Sequence, residues 1–120
     1  MAANAAHYDP LASQMDPSTL SDFLQAPLTG GIQEVPGVGP ANADILASGD
    51  RGGSVTNTYQ LIGTFLTLRP DEDDPAEHCE RFYLWLQTKG VNAQRNTIVQ
   101  AIAEKTNLAY PGIYDATLYA

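Results

Sequence analysis

Residues 31–46 read Gly31-Ile32-Gln33-Glu34-Val35-Pro36-Gly37-Val38-Gly39-Pro40-Ala41-Asn42-Ala43-Asp44-Ile45-Leu46. Pro36 and Gly37 stop any helix that precedes them. Pro40 suits the first position of a new helix, where its missing N–H removes no hydrogen bond. Ile45 and Leu46 give that second helix its apolar contacts, and Gly49 closes it. Two short helical pieces around a Gly-Val-Gly turn are therefore expected over residues 31–49.

Helix punctuation continues on both sides. Asp16-Pro17 supplies an N-cap acceptor followed by proline, and Leu20, Phe23, Leu24 and Leu28 recur at helical spacing, so a helix is expected over 17–25. Beyond Ser54, the residues Tyr59, Leu61, Ile62, Phe65, Leu66 and Leu68 fill a helix that Pro70 ends. Gly63 sits in its middle at a cost of about 1 kcal/mol relative to Ala, a placement that marks close approach of another element. Asp74-Pro75-Ala76-Glu77 reads as cap, first position and capping-box acid ahead of Cys79, Phe82, Trp85 and Leu86, with Gly90 as the stop. Asn92 is placed as the cap of the last long helix, which buries Ile98, Val99 and Ile102 and ends between Asn107 and Pro111. No stretch alternates as a strand would. The expected fold is all-α: a five-helix bundle over residues 17–106, preceded by a mobile or partner-ordered tail at 1–16 and followed by a C-terminal tail at 107–120.

Composition narrows the function. The chain has 120 residues, enough for one core, and a net charge of −8. A lone Cys79 excludes a disulfide framework, and with two His a Cys/His zinc site is not expected. His78 and Cys79 are helix neighbours that point in different directions, which argues against a nucleophile–base pair. No cofactor is expected, and without paired carboxylates on one face an enzyme is not expected either. No apolar run approaches the roughly twenty residues that a bilayer-spanning helix needs. Residues 1–16 contain no Lys or Arg, unlike a signal or transit peptide, so an intracellular, soluble protein without membrane insertion is expected. Six acids crowd residues 71–80, a pattern suited to a solvated link, while the six bases are dispersed.

Two places carry binding chemistry. Glycines at 37 and 39 permit a tight turn, and the helix starting at Pro40 exposes unpaired N–H groups at its positive end. Such a terminus holds a phosphate oxygen without reading a base and needs no Lys or Arg. The same Gly-x-Gly also suits a plain loop between packed helices. Gly90-Val91-Asn92-Ala93-Gln94-Arg95 repeats the chemistry, with amides near Ala93 and Gln94 and the Arg95 guanidinium; ordinary capping after a glycine stop is the alternative.

The Pro36-Gly37-Val38-Gly39-Pro40 string matches the helix-hairpin-helix pattern, and further strings follow in order. Ser21-Asp22-Phe23-Leu24-Gln25-Ala26-Pro27-Leu28, Val35 to Gly39, Tyr59 to Leu68, the Asp71-Glu72-Asp73 string, Phe82 to Leu86 and Gly90 to Ala93 together resemble the barrier-to-autointegration factor family over residues 17–106. That resemblance implies a homodimer that bridges two DNA duplexes without sequence preference, in chromatin and the nucleus, with a groove for LEM-domain proteins. It implies phosphate-facing positions at Ser18 and Thr19, at Gly37, Val38, Gly39, Ala41 and Asn42, and at Asn92, Ala93 and Gln94 beside Arg95. Gly63, Phe65, Leu66 and Trp85 would form the dimer seam. The chain departs from the family where Ser18, Thr19 and Ser21 replace bases, where Asp44 replaces lysines after the hairpin, in a longer acidic link, and in the segment beyond Asn107.

Two functions are thus expected in parallel. One is a sequence-independent, DNA-bridging homodimer. The other is a structural or adaptor subunit that lost DNA and meets a protein partner through its acidic link or C-terminal tail. Whether the hairpin carbonyls also hold a monovalent cation stays open.

Overall fold

A computed structural model describes residues 7–50 and 53–119; Arg51, Gly52, Ala120 and the first six residues lie outside the described part. Five α-helices follow in order: α1 (Pro17–Gln25), α2 (Pro40–Ala47), α3 (Thr58–Thr67), α4 (Pro75–Lys89) and α5 (Arg95–Ala109). Short 3₁₀ turns cover Pro10–Ala12, Ile32–Glu34 and Ala116–Tyr119. Among the described residues there is no strand, only an isolated bridge between Gly31 and Asn57. The bundle is all-α, as expected.

Local chemistry sets most boundaries. The Asp16 side chain accepts from the Ser18 N–H, Asp74 accepts from Glu77 N–H, and each is followed by proline at the first helical position. Asn57 caps α3 by accepting from the Gln60 N–H. Gly90 ends α4 in the left-handed region at φ 108°, which costs glycine little. The helical piece before the Gly-Val-Gly turn is a single 3₁₀ turn.

Helix α5 is the central element and packs against α1, α3 and α4. Its Ile98, Val99 and Ile102 are fully buried together with Leu61, Phe65, Phe82 and Leu86. Phe65 stacks on His78 at 3.9 Å between ring centroids and 7° between planes, while His78 Nε2 lies 2.6 Å from Phe65 O. A carbonyl can only accept, so that ring nitrogen carries the hydrogen.

Two expectations are corrected, and one segment is added to the core. Residues 7–16 are not a free tail, because Tyr8 is 5% exposed, its N–H donates to Glu80 at 2.7 Å and its hydroxyl meets that of Tyr114 at 3.0 Å. The segment after Asn107 packs as well. Helix α5 ends at Ala109, inside the expected Asn107–Pro111 window, and beyond it Ile113 and Tyr114 are buried and Tyr119 stands edge-on to Tyr8 at 5.2 Å. Burial there pushes the Cys79 thiol up to about 12, despite its hydrogen bond with Tyr119. Phe65 is 0% exposed and belongs to the core of its own chain, not to a seam. The two ends of the chain meet because Tyr8, Tyr114 and Tyr119 form one cluster only in space, while Phe65 packs on His78 and Phe82.

Candidate nucleic-acid interface

The hairpin turn closes with the Val38 N–H donating to Val35 O at 2.9 Å. Gly37 has φ +93°, and a Cβ there would lie 2.8 Å from Ile98 Cγ1 and 3.3 Å from Gln94 Cβ. Backbone conformation and the nearness of α5 both demand glycine at this position. Gly39 differs: its backbone is extended and nothing lies within 4 Å of where a Cβ would be, so the start of α2 is open. The first bond of α2 runs from the Ala43 N–H to Gly39 O at 2.9 Å. The N–H groups of Ala41 and Asn42 therefore precede the helix's own ladder.

Asn42 ties this turn to the next one. Its Nδ2 donates to Gly37 O at 3.0 Å and to Ala93 O at 3.1 Å, so one amide clamps the hairpin to the loop before α5. The residue is 8% exposed. The Asn42 carboxamide, expected to face a phosphate, is instead engaged within the protein and fixes the two turns relative to each other. With Gly37 O engaged by Asn42, that carbonyl is already a partner within the protein.

The second turn is built differently from the expectation. Asn92 is not the cap of α5; Gln94 is, at φ 68° and without a side-chain cap bond. A non-glycine residue in the left-handed region costs of order 1 kcal/mol or more. Asn92, Ala93 and Gln94 are exposed in the turn that leads into the helix. Arg95 is corrected too. Its Nη1 donates to Val91 O at 2.9 Å, its guanidinium carbon lies 5.0 Å from the Tyr83 ring centroid, and its buried Nε has no hydrogen-bond partner. The cation faces inward rather than toward a phosphate.

An open groove of about 690 Å³ joins Thr19 on α1 to Gly37, Val38, Gly39 and Gln94. Val38 itself is 3% exposed and contributes backbone only. Ser18 is exposed, but its Oγ donates to Asp16 at 2.9 Å. That bond and the stronger one from the Ser18 N–H hold the Asp16 carboxyl below its usual range. Ala41 is exposed at the head of α2. The structure thus brings Thr19, the Gly37–Gly39 backbone and Gln94 to one groove.

Charge at the groove comes from acids. Asp22 and Glu34 line it. Burial opposes ionisation of Glu34, but Thr58 Oγ1 at 2.6 Å, the N–H groups of Thr29 and Gly30, and Thr29 Oγ1 outweigh it and keep the carboxyl below its ordinary range. Every described base is engaged elsewhere. Lys105 caps the end of α1 through Phe23 O, Leu24 O and Ala26 O at 2.8, 3.0 and 2.7 Å. Lys89, 6% exposed, donates to Ser48 O and Gly53 O. Arg69 pairs with Asp73 at 3.6 Å and Arg81 with Glu77 at 3.1 Å. Arg51 lies outside the described residues.

Of the expected seam, Gly63, Leu66 and Trp85 are half-buried. Nothing lies within 4 Å of a Cβ built on Gly63, so no neighbour in the same chain requires glycine there. Among the described residues, no group of three His, Cys, Asp or Glu could hold a metal ion, and no helix is long and apolar enough to cross a membrane. No protein-family model, curated protein or solved structure matches the chain.

Proposed function

We propose that the chain binds the phosphate backbone of double-stranded DNA without reading sequence, and that two copies join through α3 and α4 so that one dimer bridges two duplexes. The observation that carries this reading is the Asn42 clamp, which places the open start of α2 beside the Asn92–Gln94 turn. Main-chain N–H groups at a helix start suit an anion and are blind to base identity. The exposed glycine at 39 leaves a phosphate room to approach. The half-buried Gly63, with open space over it, supports the self-association half of the proposal.

Engaged bases give this reading a particular signature. The salt slope of DNA binding scales with the phosphates neutralised by Lys and Arg, so grip by amides has a shallow slope and modest affinity. Titration of two duplexes of unrelated sequence tests it. Equal affinities, lost in Gly39→Glu, support the reading; a marked sequence preference or no binding at low salt counts against it. Such a protein would work where the cell keeps its DNA, the nucleus if it has one.

The second reading is an adaptor that binds protein. One observation favours it: an apolar groove lined by Pro17, Leu20, Leu24 and the 60% exposed Leu108 lies open on α1 and α5. Of the tail tyrosines, Tyr114 and Tyr119 pack inward, so the 56% exposed Tyr110 is the one offered to a partner.

A further inference from the structure

The segment beyond α5 builds part of a groove. The Ile113 N–H donates to Tyr110 O at 3.1 Å, and Asn107 Oδ1 accepts from the Gly112 and Tyr114 N–H groups at 2.8 and 3.2 Å. The buried Ile113 pins this turn and the Tyr110 ring stays exposed. Leu66 on the last turn of α3, with Arg69 and Asp73 just after it, completes an open groove of about 320 Å³ with Tyr110 and Ile113. Its walls thus carry an aliphatic side chain, an aromatic ring and one ion pair.

Charge beside the groove has one sign. Residues 69–81 hold six acids against Arg69 and Arg81, and those two bases are paired with Asp73 and Glu77. Asp71, Glu72, Asp74 and Glu77 line a second open hollow of about 380 Å³ together with Pro70, the residue after Arg69. Asp71 and Glu72 are exposed and engage no partner among the described residues. No three described acids converge as ligands for a metal ion, so the field suits positive charge spread along a chain. The same field repels a duplex. An exposed tyrosine ring attracts Lys or Arg, and Leu66 beside it suits an apolar side chain.

We propose that this groove docks a Lys/Arg-rich peptide segment of a partner protein, which seats one apolar side chain against Leu66 and Tyr110 and lays its bases along Asp71, Glu72 and Asp74. No residue of either hollow lines the hairpin groove, so the site is separate from the one assigned to DNA. The inference rests on the second, protein-binding reading and gives it a partner chemistry.

The test uses the full chain and a labelled synthetic peptide of Lys and Arg around a single Leu, followed by fluorescence anisotropy at low ionic strength. Wild type should bind it about tenfold more tightly than the same peptide with Ser for Leu, and more weakly as salt rises. The pair Asp71→Asn and Glu72→Gln should weaken binding about fivefold, and Tyr110→Ser about threefold. Duplex binding by these variants should not fall. Peptide binding that survives all three substitutions keeps the protein-binding reading and overturns this site. Equal affinity for the Leu and Ser peptides overturns the apolar anchor and with it the proposal. No peptide binding overturns it too, whether or not the duplex binds. Amide signals of Leu66 and Tyr110 that respond to protein concentration and not to peptide would give the groove to a second copy of the chain, against the proposal.

Discussion

Asn42 Nδ2 lies 3.1 Å from Ala93 O, joining two residues that are 51 positions apart in the chain. The same nitrogen reaches Gly37 O at 3.0 Å. Both hydrogens of one buried amide are thereby used, and the relative position of two turns is fixed by a single side chain.

Asn42→Ala leaves the Gly37 and Ala93 carbonyls without this donor. The expected loss is about 1–3 kcal/mol of stability by denaturant unfolding, with weaker DNA binding on top of it. An unchanged midpoint would show that the clamp contributes nothing.

The two hairpin glycines should separate stability from binding. Gly37→Ala forces a Cβ to 2.8 Å from Ile98 Cγ1 at positive φ, and should cost at least about 2 kcal/mol. Gly39→Ala meets open space at an extended backbone and should stay within about 0.5 kcal/mol of wild type. Thermal melts of the two variants check the contrast.

How much of this was legible beforehand differs by kind of signal. Caps at Asp16 and Asp74 and the stop at Gly90 are local, and their chemistry is written within a few residues of each boundary. The Asn92 cap failed because the chain enters α5 through a left-handed Gln94, a conformation that its residue type does not announce. The packing of Tyr8 on Tyr114 joins residues 106 positions apart, and no spacing rule reaches that far. A base beside a helix start, such as Arg95, suits an anion on sequence grounds. Only the position of Tyr83 and Val91 O reveals that it turns inward.

Acidification should destabilise the protein in two stages. Burial holds the His78 imidazole below its ordinary 6.5, against the Phe65 carbonyl, with the charges of Arg69 and Arg81 adding to the effect. The unfolded chain therefore takes up a proton first. His78's contribution is complete above pH 6.5 and is lost as the pH falls through the lower folded value. Glu34, also held low, acts in the same direction below its ordinary 4.5. The urea midpoint of wild type should drop between about pH 7.5 and about pH 5.5, and His78→Gln should show a smaller drop. Equal drops would remove His78 as the cause.

Gly63→Ala should raise the stability of the single chain by about 0.5–1 kcal/mol, because its new methyl meets nothing within 4 Å. Gly63→Glu places a charge on the expected seam and should give monomers by light scattering where wild type gives dimers. A dimer mass retained in Gly63→Glu would move the self-association surface elsewhere.

The claim that main-chain nitrogens at two adjoining turns hold a phosphate backbone has a direct measurement in amide NMR. A short random-sequence duplex is added to labelled protein at low ionic strength, and the shift of every backbone N–H is followed. The largest changes should fall on Gly39, Ala41, Asn42 and on Asn92 to Gln94, and should fade only gradually as salt is raised. Changes centred on the acidic 71–74 link or on the Leu20–Leu108 groove, or none at all, would contradict it.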